Sequence, residues 1–300
     1  MQPSKPYMEN TDFKSKRLTP VWPNTTHGEW IQKDKRKELV SVIIPTFNRS
    51  HYLPDVLRSV ENQKYRPIEI IVVDDGSTDE TNELMQEWKR KHQSSEALGI
   101  HYEYQRNRGA PAARNLGAIQ SSGEFLQFLD SDDKLHPEKI LSQVQLLRKN
   151  PQAGLAYCLG TFFGKEKPGE RLSGFNFSEG GIPAMLQNNL YQTSAALYRR
   201  ETCRNAGPWN EKLGGAQEWE YAFRAVLSCN EKIVFQPKVY NYLRSEEDSS
   251  RISQQGYNHV KERFKAISKV QATLAFSGHL KDAHVARSLS LSYLQIALQL

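Results

Sequence analysis

The chain has only three cysteines, Cys158, Cys203 and Cys229, widely spaced and with no CxxC pair. That number is odd and the spacing irregular, which excludes a disulfide framework and a thiolate zinc site and points to a reducing compartment. No run approaches the roughly 20 apolar residues of a membrane span, and Met1 to Lys37 holds no apolar stretch that would serve as a signal peptide. Charge of one sign is scarce as well: 40 Lys plus Arg against 34 Asp plus Glu leave a net +6. No basic run interleaves with aromatics, so nothing argues for nucleic acid. Its one local knot is Lys33, Lys35, Arg36 and Lys37, read either as a solvated face or as an attractor of anionic lipid or phosphate. The first strand is followed by Pro-Thr-Phe-Asn-Arg rather than by GxGxxG, which disfavours a dinucleotide-dependent oxidoreductase. Internal repeats are absent.

What is present is an alternation. Leu39–Ile44 and Ile68–Val73 are apolar, β-rich runs, the first stopped by Pro45; Ile100–Tyr104, Glu124–Leu129 and Leu155–Leu159 continue the series of strands. Between them, helical spacing covers Tyr52–Gln63, the segment with Leu84, Met85 and Trp88, Pro111–Gln120 and Pro137–Lys149. Such alternation predicts an α/β fold, a Rossmann-like, mostly parallel central sheet with helices on both faces. Further on, Thr193–Tyr198 reads as a strand, Gln217–Leu227 as a helix and Ile233–Leu243 as a strand broken at Pro237. The Gly- and charge-rich residues 164–181 read as a loop, and an apolar-periodic helix covers Leu289–Leu300. The expected organisation is a poorly ordered extension over 1–38, one domain over 39–250 and a helical extension over 251–300.

In sheets of this kind ligands bind outside the carboxyl ends of the strands. Three polar clusters fall there: Thr46–Arg49, Asp74–Ser77 and Asp130–Asp133. In the second, Gly76 permits a tight turn, Asp79 suits a cap for the following helix, and Asp75 is placed to accept hydrogen bonds from a base or ribose. The third, Asp130-Ser-Asp-Asp133, reads in two ways. It is a turn leading into a helix cap, or a carboxylate set for Mg²⁺ or Mn²⁺ on a diphosphate.

Taken in order, Val42-Ile-Ile-Pro-Thr-Phe-Asn-Arg49, Ile70–Asp79, Gly109-Ala-Pro-Ala-Ala-Arg-Asn115, Gly123–Asp133, Gly207-Pro-Trp-Asn-Glu211 and Gln217-Glu-Trp-Glu-Tyr-Ala-Phe-Arg224 closely resemble the family 2 inverting glycosyltransferases of the GT-A fold, over about residues 40–245. The resemblance implies roles by position. Pro45, Phe47 and Asp75 match positions that hold the nucleoside base. Arg114 lies where the family approaches the donor phosphates. Asp132 matches the metal-binding carboxylate, Asp130 contacts ribose or metal, and Asp133 either joins them or caps the next helix. A Mn²⁺ or Mg²⁺ cofactor, a nucleotide-diphosphate sugar donor of the UDP class, and a glycan or lipid-linked acceptor of cell-envelope synthesis follow from the same likeness.

Two departures stand out. Glu218 occupies the place of the family's Asp base, with Glu220 beyond it read as a surface or salt-bridged residue and Trp219 as either acceptor wall or core. Arg244 is kept after the last strand, but no His follows it, so that Glu246, or substrate and water, would complete the metal shell. The alternatives are a nucleotidyltransferase of similar fold and a non-catalytic nucleotide-sugar-binding protein. The expected location is cytoplasmic, peripheral at the inner face of the membrane through residues 289–300, with a homodimer or packing on the domain as the other uses of that helix.

Overall fold

The computed structural model describes residues 30–31, 35–93, 95, 97–164, 169–172, 177–187, 192–245 and 257–299. The first strand, β1 (Arg36–Thr46), has alternate residues serving two cores. Val40, Val42 and Ile44 face one layer, while Ile43 faces the other. This two-sided burial is what a continuous Val/Ile run predicts for a central parallel strand. The chain then crosses through α1 (Leu53–Glu61) to β2 (Ile68–Asp74), through α2 (Thr81–His92) to β3 (Leu98–Tyr104), and through α3 (Ala110–Gln120) to β4 (Gly123–Phe128). These strands pair in parallel, in the order β3-β2-β1-β4. The approach of α3 to the sheet is close: a Cβ on Gly117 would sit 2.4 Å from Ile43 Cγ2.

β1 runs through Pro45 rather than stopping before it. The β4 ladder has ended by then, its last register pair being Ile43 with Phe128, so the missing proline N–H interrupts little.

Beyond β4 the sheet is mixed. The chain makes β5 (Lys134–Leu135), α4 (Lys139–Lys149), β6 (Leu155–Gly164), β7 (Arg171–Leu172), α5 (Phe177–Gln187), β8 (Ala196–Arg199), α6 (Arg200–Ala206), α7 (Gln217–Ser228) and β9 (Ile233–Ser245). β8 pairs antiparallel to β4 and β6, and β9 lies parallel to β6 and antiparallel to β5. The parallel run foreseen from the alternation is therefore the N-terminal half of the sheet. Pro237 breaks the β9 ladder as expected: Gln236 lies opposite Cys158 and Val239 opposite Leu159, so two residues loop out between them.

The stretch 164–181 contains more than a loop. β7 folds back on β6, with Gly160 opposite Leu172, and α5 begins at Phe177; residues 165–168 and 173–176 lie outside the described residues. Most of the N-terminal extension, 1–29 and 32–34, lies outside them too. Ile31 is fully buried, and Trp30 Nε1 donates to Arg204 O at 3.3 Å, so these two residues are docked on the body.

Two further helices, α8 (Tyr257–Phe276) and α9 (Ala283–Ala297), share the larger core with α5 and α7. Ile267, Val270, Leu289 and Ile296 cluster with Ile182, Trp219 and Phe223. Ser292 Oγ on α9 donates to Leu186 O at 2.6 Å. All three cysteines are free thiols. Among the described residues no helix is long and apolar enough to cross a membrane.

Candidate active site

The polar clusters converge at the carboxyl ends of β1, β2 and β4, with the start of α7 and the end of β9 closing the site. The first two are laced together. Asn48 Oδ1 accepts from Thr78 N at 2.8 Å, Asn48 N donates to Ser77 Oγ at 2.9 Å, and Ser50 N donates to Asp79 Oδ2 at 2.9 Å. Asp79 also takes the Thr81 amide and hydroxyl at the start of α2, as foreseen. Gly76 adopts φ 88°, and a Cβ there would lie 2.9 Å from Asn107 N. Only glycine suits both the left-handed backbone and that approach.

Asp75 is buried, and its Oδ1 accepts from Gln105 Nε2 (2.6 Å) and Arg108 N (2.8 Å), its Oδ2 from Gly109 N (2.8 Å). A carboxylate has about four acceptor positions, so Oδ2 keeps one for a base. Most of its capacity orders the 105–109 loop, a use the sequence did not suggest. Pro45 is buried in β1, whereas Phe47 at the rim is 45% exposed and offers a ring face.

Arg114 is the hinge of the site. Its Nη2 donates to Asp130 Oδ1 at 2.7 Å and its Nη1 to Gln217 Oε1 at 3.1 Å, joining the acid turn to the residue before Glu218. The guanidinium lies 4.6 Å from the centroid of the Trp209 ring, which stacks on Tyr221 at 4.0 Å and 4°. Asn115 clamps the Trp209 backbone in both directions, donating to its O at 3.0 Å and accepting from its N at 2.7 Å. The Gly207–Glu211 motif thus acts by holding Arg114.

Glu218 enters on the first turn of α7. The residue before that helix, Ala216, has φ 53°, a left-handed conformation that costs a non-glycine residue about 1–2 kcal/mol. Burial pushes the Glu218 carboxyl up, with Asp130 adding in the same direction and Arg114 opposing. Glu220 does not share this environment. It is buried in a two-pronged ion pair with Arg224, both contacts at 2.8 Å. Trp219 is core: its Nε1 donates to Met185 O at 3.0 Å and its ring meets Phe223 edge-on.

In the acid turn, Asp133 points inward and caps no helix. Its Oδ2 accepts from Ser194 Oγ at 3.0 Å and its Oδ1 from Arg244 N at 3.3 Å. Burial, then the charges of Asp132 and Asp130, push its carboxyl well above the usual range. Beneath it runs a buried network that sequence reasoning missed. Lys139 Nζ donates to Gln143 Oε1 (2.8 Å) and to Gln127 Oε1, and Gln127 Nε2 donates to Ser194 O (3.0 Å). Burial lowers Lys139 to about 8. Arg244 closes the far side, its Nε donating to Asp132 O at 3.2 Å and its guanidinium 4.2 Å from the Tyr52 ring centroid. Glu246 lies outside the described residues.

Among the described residues no group of three or more His, Cys, Asp or Glu forms a ready cage for a metal. The donor set nevertheless fits a divalent cation. Asp130 and Asp132 supply two carboxylates in a turn already crowded with negative charge, and Mg²⁺ or Mn²⁺ takes its remaining ligands from phosphates and water.

The model of the family described as Glycosyl transferase family 2 matches residues 41–207, over half of the chain. In sequence, TuaG of Bacillus subtilis, named for teichuronic acid biosynthesis, is 38% identical over 112 residues, covering 37% of this chain and 42% of that one. The chain spans less than two thirds of the curated relatives it matches, from 16% to 64% of their lengths. Among solved structures, S. aureus TarS 1–349 in complex with UDP-GlcNAc superposes with a TM-score of 0.66 at 22% identity, covering 83% of this chain and 71% of that one. A mannosyltransferase of Pyrobaculum calidifontis in complex with GDP-Man and Mn²⁺ gives 0.59 at 20%, covering 89% and 78%. These two likenesses show the fold.

Proposed function

We propose, from the premise that the chain belongs to glycosyl transferase family 2, that it moves a sugar with inversion from a UDP-sugar to a hydroxyl of a cell-envelope glycan or lipid-linked acceptor. The observation that carries this reading is the Arg114 bridge, which sets Glu218 beside Asp130 at the carboxyl ends of the strands. Glu218 takes the proton of the attacking hydroxyl, and inversion follows when that oxygen approaches the anomeric carbon opposite the leaving diphosphate. Phe47 supplies a face for the base and Asp75 its remaining acceptor at Oδ2. Asp132, with Asp130 beside it, would hold Mn²⁺ or Mg²⁺, which supplies charge neutralisation for the departing diphosphate. Arg114 keeps Asp130 and the start of α7 in register. The UDP donor is supported by the TarS complex and the envelope setting by TuaG.

The test is donor binding by thermal shift and transfer by product release, each with and without Mn²⁺. A ligand that binds only the native state raises the melting temperature in step with its occupancy. Asp132→Asn is expected to keep the fold and lose the metal-dependent part of both signals. Wild-type turnover by that variant in EDTA would sink the metal assignment.

Peripheral contact with the inner face of a membrane belongs to the same proposal. On α9, Leu289, Ser292 and Ile296 are buried against the body, while Leu291, Leu294 and Leu298 are exposed at 39, 55 and 78%. Deleting the helix would therefore open the core, and a point substitution is the cleaner probe. Leu294→Gln with Leu298→Gln is expected to release the protein from sedimenting vesicles without changing its melting temperature. Unchanged sedimentation would leave the helix no membrane role.

A further inference from the structure

The parallel strands have a second charged end. Away from the acid turn, where β4 begins at Gly123 and the antiparallel β8 finishes at Arg199, a cavity of about 290 Å³ is lined by Lys35, Glu124, Arg199, Arg200, Glu201 and Arg204. Lys35 comes from the basic knot that stands out in the sequence and that the transfer reaction leaves unused. Four cations and two carboxylates leave this lining two positive charges in excess.

Most of these groups already have partners that hold them in place. Arg199 donates from Nε to Ala153 O (2.8 Å) and from Nη2 to Leu147 O (2.7 Å). Arg204 reaches Ile31 O through Nε and Nη2, and pairs through Nη1 with Glu201 at 3.1 Å. Glu124 accepts the Glu38 amide at 2.9 Å. Arg200 differs. It is 2% exposed, its Nε donates to Gly123 O at 2.6 Å and its Nη2 to Ser121 Oγ at 2.8 Å, yet its Nη1 is buried with no hydrogen-bond partner among the described residues. A buried guanidinium nitrogen without an acceptor is costly, and an acceptor carrying negative charge would offset that cost.

We propose that this cavity is a phosphate-binding site, separate from the donor site, in which Arg200 turns its covered Nη1 to a phosphate oxygen while Lys35 and Arg204 close over the remaining oxygens. A phosphate matches the two excess charges and brings several acceptors to one point, the geometry arginine favours. The volume leaves room for the group that carries the phosphate. The same chemistry comes from a phospholipid headgroup or from a soluble phosphate compound.

The experiment uses the full chain in EDTA, which silences metal-dependent diphosphate binding, and titrates inorganic phosphate while following the melting temperature. Lys35 is exposed and Arg204 half-buried, so Lys35→Gln/Arg204→Gln is expected to weaken the phosphate midpoint about tenfold or more, as loss of charge-assisted bonds predicts. Stabilisation by UDP with Mn²⁺ should stay as in the wild type, which also certifies the fold. Sedimentation with phosphatidylglycerol against phosphatidylcholine vesicles then separates the sources. Selective pelleting lost in the double variant assigns a lipid phosphate, and a phosphate shift without pelleting assigns a soluble one. Equal phosphate midpoints in the two proteins, together with equal pelleting, would overturn the site.

Discussion

Glu218→Gln is expected to slow transfer by about 10²–10⁴-fold while leaving the donor's stabilising effect unchanged, because a general base contributes on that order and the amide keeps the shape of the acid. The variant preserves the packing of the α7 start and removes only the proton acceptor. Glu218→Asp should be milder, since it retains the base and loses one methylene of reach; a displacement near 1 Å still costs rate. The pH dependence has a definite sign. Burial raises the Glu218 carboxyl, with Asp130 reinforcing and Arg114 opposing. A base must be ionised to act, so kcat/KM should climb as pH rises through a value above the ordinary glutamate range. That limb should vanish in Glu218→Gln. Wild-type activity of this variant, or an unchanged limb, would remove Glu218 from the mechanism.

The parts of this site that were legible in the sequence are those set by local pattern. Buried Val/Ile runs at fixed distances made β1, β2 and β4 readable, and the polar residues immediately after them had to lie at their carboxyl ends. Gly76 and Asp79 carried their turn and cap in their own chemistry. What was hidden depends on contacts between residues far apart in the chain. Asp133 reads like its two neighbours, but Ser194, 61 positions on, turns it inward. Asp75 looks like a free acceptor until Gln105, Arg108 and Gly109 claim it. The Gly207–Glu211 motif is readable as a motif, yet its work is done through Asn115, 94 residues earlier. Lys139 gave no signal: a lysine in an amphipathic helix is ordinarily at the surface, and here Gln127 and Gln143 hold it beneath the acid turn. β5, β7, α5 and α6 were missed because strands of two residues, a helix broken at Gly181 and a helix of 7 residues carry too little periodicity to register.

Glu220→Gln should leave catalysis per folded molecule nearly intact and destabilise the protein by about 3–5 kcal/mol, the cost of breaking a buried ion pair from one side. Arg224 is the reason. Its Nε and Nη2 both donate to the Glu220 carboxylate, its Nη1 donates to Ala206 O at 2.6 Å, and its guanidinium lies 5.0 Å from the Tyr221 ring centroid. With the carboxylate neutralised, the buried guanidinium loses its counter-charge. Tyr221 stacks on Trp209, and Trp209 supports Arg114, so the ion pair lies behind the bridge and outside the reacting groups. The melting temperature should fall on the order of 10 °C. Replacing both partners, as in Glu220→Gln/Arg224→Met, should recover part of the loss, because it removes the uncompensated charge. The opposite pattern decides between the two glutamates: if Glu220→Gln kept the wild-type melting temperature and abolished transfer, Glu220 would be the base and Glu218 its neighbour.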